Sequence, residues 1–135
     1  MFLHKTQVRV RYGETDQMGF VYYGHYALYY EVGRVEAIRS LGLTYKDLED
    51  QGIMMPVVRL EAKYIAPARY DDLLTIFSSI VELPDRFIIF DVQIRNAEED
   101  ILNKARVTLC FKDSGTGVQL RAPVSIIEKL MPYFT

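Results

Sequence analysis

Cysteine, histidine and tryptophan are scarce in this chain, which has one, two and none of them respectively. A single cysteine excludes an intrachain disulfide and favours a reducing compartment. Because the possible ligands are few and widely spaced, the sequence offers no credible zinc site, and we expect no metal or other cofactor. Cys110 stands in an alternating run before Phe111, which predicts a buried structural thiol rather than a nucleophile.

Long apolar runs and an excess of basic residues are also missing. No stretch approaches the ~20 apolar residues of a membrane span, and residues 1–5 lack the apolar core of a signal peptide. The net charge of -2 and the pI near 5.7 provide no basic stripe for a nucleic-acid backbone. We therefore expect a soluble, cytoplasmic protein that binds neither a membrane nor nucleic acid.

Two groups of well-known motifs do not occur. There is no G-x-x-x-x-G-K-[ST] and no G-x-G-x-x-G, so no glycine-rich loop holds nucleotide phosphates. There is also no G-x-S-x-G, which argues against a serine hydrolase of the α/β-hydrolase kind. Any catalysis must therefore use other groups.

What the chain does have is the composition of one globular domain. Half of its 135 residues are hydrophobic and 13% are aromatic, with ten tyrosines. A domain of this size buries roughly two-thirds of its unfolded surface. We see no linker, repeat or low-complexity segment, and we expect a single domain over residues 1–135.

The first third of the chain predicts a strand followed by one long helix. Residues 6–12 alternate between apolar and polar, as in a half-buried strand, and residues 13–19 break that pattern with turn residues. Residues 24–41 follow a helical period with two apolar stripes, which predicts a helix covered on much of its circumference. Gly33 suggests a close approach of the sheet backbone, and Gly42 a C-cap.

The rest of the chain predicts a short helix, a meander of strands and a C-terminal helix. Thr44 is placed to cap the helix at residues 45–51. The predicted strands and last helix are 58–64, 73–81, 87–95, 102–112, 118–120 and 124–130. Short turns between successive strands require antiparallel pairing. The fold class is therefore α+β, an antiparallel sheet of five to six strands wrapped around one long central helix.

The segment from Tyr12 to Tyr26 connects the first strand to this helix through a polar turn that contains Asp16. From the residues alone, Asp16 is explained as well by a turn or N-cap role as by catalysis. Several tyrosines follow, and each is a candidate for lining a pocket or packing in the core: Tyr22, Tyr23, Tyr26, Tyr29 and Tyr30.

The chain resembles the hotdog-fold acyl-CoA thioesterases of the 4-hydroxybenzoyl-CoA thioesterase type. The resemblance rests on three motifs in the family's order, and it covers nearly the whole chain. They are Thr15-Asp16-x-x-Gly19-x-Val21-x-x-x-x-Tyr26, Tyr30-Glu31-x-x-Arg34, and Tyr64-x-x-Pro67-Ala68-Arg69-x-Asp71-Asp72. It implies the hotdog fold and hydrolysis of an acyl-CoA to a carboxylic acid and free CoA.

The resemblance also implies roles for particular residues. Asp16 corresponds to the catalytic carboxylate, which acts as a general base on water or as a nucleophile. The backbone N–H groups of Tyr23 and Gly24, at the start of the helix, correspond to those that polarise the thioester carbonyl. The substrate is contacted at the other fixed positions of the first motif, Gly19, Val21 and Tyr26.

The resemblance has further implications for binding of the CoA moiety and for the oligomeric state. Arg69 and Arg86 correspond to basic residues that meet the CoA phosphates. Many relatives carry His where this chain has Tyr23, and here His25 follows two residues later as a substrate-positioning candidate. A second branch of the fold places its carboxylate on the helix, which makes Glu31 the reserve catalyst. Family members form dimers or tetramers with the active site between subunits.

We therefore predict an acyl-CoA thioesterase with Asp16 as its catalyst. One rival is a module that binds acyl thioesters without turning them over. The other is a 3-hydroxyacyl dehydratase on the same fold, which requires a His base paired with an acidic residue. It is disfavoured because the only nearby histidine, His25, precedes the middle of the helix.

Overall fold

The computed structural model describes residues 1–134, which form one antiparallel sheet and three α-helices. The elements are β1 (Phe2–Arg9), α1 (Tyr26–Ser40), α2 (Tyr45–Asp50), β2 (Ile53–Met54), β3 (Val57–Tyr64), β4 (Leu73–Ile80), β5 (Phe87–Arg95), β6 (Ile101–Asp113), β7 (Gln119–Leu120) and α3 (Val124–Leu130). Short 3-10 turns lie at residues 12–14, 23–25 and 131–133.

The sheet contains five long strands and two short ones, in the order β1-β4-β5-β6, with β3 on the far side of β6. The short strands β2 and β7 pair with the end of β6. The predicted meander is right for β4 to β6 and wrong for β3, which pairs with β6 instead of β4. The reason is residues 65–72, which are not a hairpin turn but a connection that passes the end of the sheet.

Helix α1 packs against one face of the sheet and buries a stripe that includes Tyr30, Ala37 and Ile38. Gly33 also lies on this stripe, at a point where only a glycine fits. A Cβ there would come within 2.6 Å of the Ile76 and Ser78 side chains of β4. The close approach of the sheet predicted at Gly33 is therefore present, but the prediction that sheet backbone makes it is wrong, because side chains of β4 do. The sheet supplies the other half of the core through the alternating inward residues of its central strands β4, β5 and β6.

The second apolar stripe of α1 is not covered within the chain. Leu28 is 52% exposed and Val32 38% exposed. Strand β3 is similar, because all eight of its residues are exposed although it pairs with β6. The prediction that the helix is enclosed on most of its circumference is thus wrong for a single chain, which leaves one helix face and one strand edge open.

The predicted boundaries hold at most positions and shift around the first turn. Strand β1 starts at Phe2 and ends at Arg9, earlier than expected, because the backbone of Val10 bonds instead to Asp71 and Asp72. The helix begins as a 3-10 turn and becomes α-helical at Tyr26. The predicted caps are confirmed: the Asp47 N–H donates to Thr44 Oγ1 at 3.0 Å, and Gly42 has a φ of +85°.

Two smaller expectations concern exposure and length. Cys110 is buried, as predicted for a structural thiol. None of the helices in residues 1–134 is both long enough and apolar enough to cross a bilayer.

Candidate active site

Asp16 organises the turn between β1 and α1. Its Oδ1 accepts hydrogen bonds from the N–H groups of Met18 at 2.9 Å and Phe20 at 3.3 Å. Its own N–H donates to the Phe20 carbonyl at 2.8 Å, and the turn closes through Gly19, whose φ is +81°. The turn role is therefore real and occupies one carboxylate oxygen. The other oxygen, Oδ2, accepts no hydrogen bond from residues 1–134.

The Asp16 pocket is an open, mainly apolar cavity of about 420 Å³ beside this turn. Its lining residues are Asp16, Met18, Phe20, Val21, Tyr23, Tyr26, Tyr64, Ile65, Ala66 and Pro67. The ring centroid of Tyr64 lies 5.5 Å from that of Tyr26 and 6.4 Å from that of Tyr23. Such spacings are typical of aromatic pairs in contact, so the pocket has an aromatic wall opposite its single carboxylate.

The connection between β3 and β4 fixes the far side of the pocket. The Val21 N–H donates to the Ala68 carbonyl at 2.8 Å, and the Ala68 N–H donates to the Tyr26 hydroxyl at 3.3 Å. Phe20 forms an isolated β-bridge with Arg69, whose guanidinium carbon lies 4.9 Å from the centroid of the Phe20 ring. These contacts join the third sequence motif to the first, although the two are far apart in the chain.

The start of the helix supplies backbone donors close to the pocket. The 3-10 turn at residues 23–25 precedes α1, and the His25 N–H donates to the Tyr22 carbonyl at 2.8 Å. The N–H groups of Tyr23 and Gly24 donate to no acceptor within residues 1–134. Unpaired donors of this kind, at the positive end of a helix, favour a developing negative charge on a ligand.

Glu14 is a buried carboxylate that the sequence analysis missed. It is only 6% exposed, and both of its oxygens are occupied. Oε1 accepts from the Arg11 N–H at 2.8 Å and the Tyr29 hydroxyl at 2.7 Å. Oε2 accepts from Arg11 Nε at 3.0 Å and lies 3.1 Å from His25 Nε2. The sequence signal that could have indicated Glu14 was the spacing of His25 and Tyr29, which are four residues apart. This spacing places both side chains on one face of the helix start, where they can contact the same acidic residue.

The environment of Glu14 keeps its carboxylate ionised. Burial alone raises the pKa, but hydrogen bonds from the Arg11 backbone, the Tyr29 hydroxyl and the Arg11 guanidinium, together with nearby His25, outweigh it and lower the pKa to about 2. Burial and then the Glu14 carboxylate raise the pKa of Tyr29. Because Glu14 cannot take up a proton near neutral pH, it is unsuited to acid–base chemistry.

The other predicted site residues fall into two groups. Val21, Tyr23 and Tyr26 line the same pocket as Asp16, and Arg69 lies at its edge through Phe20. Arg86 lies at the opposite end of β5 from the pocket within one chain, since the other end of β5 pairs with Asn103, the partner of Tyr64. Glu31 faces a different cavity of about 260 Å³, which Leu28, Tyr30 and Arg34 also line.

The tyrosine-rich segment divides between pocket and core. Tyr23 and Tyr26 line the Asp16 pocket, and exposed Tyr22 packs beside Tyr23 with ring centroids 4.8 Å apart. Tyr29 and Tyr30 are buried, where their hydroxyls donate to Glu14 and to Asn103 Oδ1 at 2.8 Å. The structure adds Tyr64 to the pocket, a residue that appeared in the third motif without an assigned role.

Comparison with known proteins gives consistent results. A family model described as the thioesterase superfamily matches residues 18–102. The acyl-CoA thioester hydrolase YbgC of Escherichia coli is 34% identical over 127 residues, which are 94% of this chain and 95% of that protein. The matched region of the family model begins two residues after Asp16.

Solved structures with the same fold cover nearly the whole chain. A DHNA-CoA thioesterase from Staphylococcus aureus is 28% identical, with a TM-score of 0.86 over 99% of this chain and 85% of its own. The protein TT1821 from Thermus thermophilus is 31% identical, with a TM-score of 0.88 over 95% of this chain and 97% of its own. The predicted hotdog architecture is thus confirmed.

Proposed function

Because the chain belongs to the thioesterase superfamily and is an acyl-CoA thioesterase, we propose that the Asp16 carboxylate carries out the hydrolysis. One observation carries this proposal. Asp16, whose Oδ2 accepts no hydrogen bond within residues 1–134, lines an apolar cavity of about 420 Å³, and the unpaired N–H groups of Tyr23 and Gly24 lie at the start of the adjoining helix.

Asp16 is proposed to act through Oδ2 while Oδ1 stays in the turn. As a general base, it takes a proton from water as the water oxygen bonds to the thioester carbonyl carbon. The C–S bond then breaks, the thiolate receives the proton, and the products are a carboxylic acid and CoA. As a nucleophile, the same oxygen bonds to the thioester carbonyl carbon, the C–S bond breaks to release the CoA thiolate, and water then hydrolyses the resulting acyl anhydride to the carboxylic acid and the Asp16 carboxylate, with the released proton taken up by the thiolate. The two hydrogen bonds to Oδ1 keep the side chain in one orientation in either case.

The Tyr23 and Gly24 N–H groups are proposed to stabilise the oxyanion. Negative charge moves onto the carbonyl oxygen in the transition state, and one well-placed donor typically contributes ~3 kcal/mol. A thiolate is a good leaving group, so the site needs no separate general acid. Val21, Tyr23 and Tyr26 are proposed to shape the acyl side of the pocket, and Gly19, which does not line it, to act through the Asp16 turn that it closes. His25 is proposed to position the helix start, and Arg69 to meet the CoA phosphates at the edge of the pocket.

A second copy of this chain is proposed to complete the site. The exposed edge of β3 can extend the sheet, and the exposed Leu28 and Val32 face of α1 can pack against a partner. In a homo-oligomer, either a dimer or a tetramer, Arg86 of a partner is then available to the CoA moiety, which Arg86 of the same chain is not. We also propose a cytoplasmic location, to which the single buried Cys110 is suited.

The dehydratase alternative deserves comparison because the structure does pair a histidine with an acid. His25 Nε2 lies 3.1 Å from Glu14 Oε2. However, Glu14 is saturated with donors and has a pKa of about 2, so it cannot supply the proton that dehydration requires. Neither residue lines the Asp16 pocket. The geometry therefore favours thioester hydrolysis.

The decisive experiment follows thiol release from short, medium, long and aromatic acyl-CoAs by wild type, Asp16→Asn and Asp47→Asn. We expect kcat to fall at least ~100-fold in Asp16→Asn, the scale of losing an acid–base group. The exposed Asp47 is the matched control and should leave kcat unchanged. Equal rates for wild type and Asp16→Asn would refute the assignment. Label on the Asp16 carboxylate after a single turnover in ¹⁸O-labelled water would establish the nucleophilic role, because a general base gains no label and a nucleophile gains it when water attacks the Asp16 side of the anhydride.

A further inference from the structure

Glu14 touches both ends of the short segment that carries the proposed oxyanion donors. Its backbone carbonyl accepts the Tyr22 N–H at 3.0 Å, immediately before that segment. Its side chain contacts His25, at the end of the segment, and accepts from the Tyr29 hydroxyl one turn further along α1. The N–H groups of Tyr23 and Gly24 lie between these two attachment points.

Glu14 is also tied to the turn that contains Asp16. The two residues are separated only by Thr15, whose Oγ1 donates to the Tyr12 carbonyl at 2.9 Å and which forms a β-bridge with Val21. Arg11 holds Glu14 through three contacts, from its backbone N–H, its Nε and its Nη2. The carboxylate is thus a fixed point shared by the Asp16 turn and the start of α1.

Glu14 itself stays outside the reaction. It lines a third cavity, distinct from those beside Asp16 and Glu31, together with Val8, His25 and Tyr29. It is absent from the lining of the Asp16 pocket. Both of its oxygens are already occupied, so none is free for substrate. A buried ionised group held by this many donors is costly to move, which suits a rigid support.

We propose that Glu14 is a positioning residue, whose carboxylate sets the placement of the Tyr23 and Gly24 N–H groups relative to Asp16. This inference rests on the proposed function, since it assigns Glu14 the task of orienting donors that act there. A misplacement of about 1 Å in a catalytic site costs on the order of 100-fold in rate. Loss of the carboxylate should therefore affect turnover more than substrate binding.

The test compares Glu14→Gln with Glu36→Gln, which removes a half-buried carboxylate of α1 that pairs with Arg39 and has no contact with the Asp16 turn. Rates are measured at a temperature well below the melting temperature of each variant. We expect kcat to fall about 30- to 100-fold in Glu14→Gln with KM within about twofold of wild type, and no change in Glu36→Gln. Tyr29→Phe removes a single donor and should lower kcat about fivefold while folding normally.

A spectroscopic measurement reports on the donors directly. Hexanoyl-CoA and benzoyl-CoA, labelled with ¹³C at the thioester carbonyl, are bound to Asp16→Asn and to Asp16→Asn/Glu14→Gln. In the single variant, the thioester carbonyl stretch should lie at lower wavenumber than for the same acyl-CoA in solution. In the double variant, it should return towards the solution value. A purely structural Glu14 would lower the melting temperature and leave both kcat and this shift unchanged, which would overturn the inference.

The outcomes separate this inference from the proposed function. If Asp16→Asn keeps the wild-type kcat, the catalytic assignment fails whatever Glu14 does. If Asp16→Asn is inactive and Glu14→Gln matches Glu36→Gln, the catalytic assignment stands and the positioning role of Glu14 is wrong.

Discussion

Two carboxylates separated by one residue have opposite environments in this protein. Glu14 is buried, accepts from Arg11 and Tyr29, and contacts His25, so that both of its oxygens are used. Asp16 is half-buried, keeps one oxygen in a turn and leaves the other without a partner beside an apolar pocket. Chemical similarity and closeness in sequence therefore do not give the two residues the same role.

The difference shows that the number of hydrogen bonds to the carboxylate oxygens decides the chemistry open to each residue more than its burial does. A carboxylate held by several donors is stabilised in its charged form and resists both protonation and displacement. A carboxylate with one free oxygen keeps a lone pair for water or an acyl carbon, while its other oxygen fixes its direction. The Glu14 region thus has the geometry of a rigid support, and the Asp16 region has the geometry that the proposed catalysis requires.

The largest expected difference between these regions is in stability. Glu14→Ala should lower the free energy of unfolding by about 3 kcal/mol, because it leaves the buried Tyr29 hydroxyl and the Arg11 N–H without an acceptor. Asp16→Asn should change it by less than about 1 kcal/mol, since the amide oxygen still accepts the turn hydrogen bonds. Urea denaturation measures both. Similar losses in the two variants would break the comparison.

The pH dependence of stability should isolate the Glu14 region. The pKa of Glu14 is about 2 in the folded chain, against an ordinary value near 4.5. A folded-state pKa that is lowered contributes stability above the unfolded value, and this contribution is lost as the pH falls. The gap in unfolding free energy between wild type and Glu14→Gln, on the order of 2 kcal/mol at neutral pH, should narrow between about pH 4.5 and 2. A gap that stays constant across this window would contradict the assigned pKa.

The aromatic wall should affect binding and leave the chemical step intact. Tyr64→Ala removes the ring that faces Tyr23 and Tyr26, and we expect KM to rise about tenfold, which corresponds to ~1.4 kcal/mol. Tyr64→Phe keeps the ring and serves as the matched control, with KM near the wild-type value. Steady-state kinetics on the best acyl-CoA decides the point, and a fall in kcat alone would remove Tyr64 from the pocket wall.

The smallest effect is expected at the edge of the pocket. Arg69→Gln should raise KM about threefold at low ionic strength, because an exposed guanidinium attracts the CoA phosphates only weakly through water. The difference should disappear in high salt. Arg39→Gln removes an exposed arginine from the distant end of α1 and provides the control. A salt-independent change would mean that Arg69 acts through its packing on Phe20.

Local features of this fold were predictable from the sequence. The alternation in residues 87–95 fixes β5 at the bounds that the structure shows, and the Thr44 cap and Gly42 follow from short-range rules. The order of the strands in the sheet was harder to predict, because the pairing of β3 with β6 joins residues 39 to 52 positions apart and depends on the whole core.

The candidate site was predictable only in its motif residues. Asp16, Val21, Tyr23 and Tyr26 do line one pocket. Glu14 was overlooked because an acidic residue in a polar turn normally faces solvent, and only the folded chain shows it enclosed by residues from two elements. The exposure of Leu28 on the outer helix face, like that of β3, is a property of a single copy that sequence patterns do not reveal.

The position of β3 in the sheet also determines when the sheet can be completed during synthesis of the chain. Its partner residues in β6 are 103–109, so β3 and the pocket residue Tyr64 leave the ribosome well before the strand that holds them. During that interval β3, in which apolar and charged side chains alternate, has neither edge paired, a state prone to mispairing with other chains. The aromatic wall of the pocket can therefore form only late, after the chain has passed its most aggregation-prone stage.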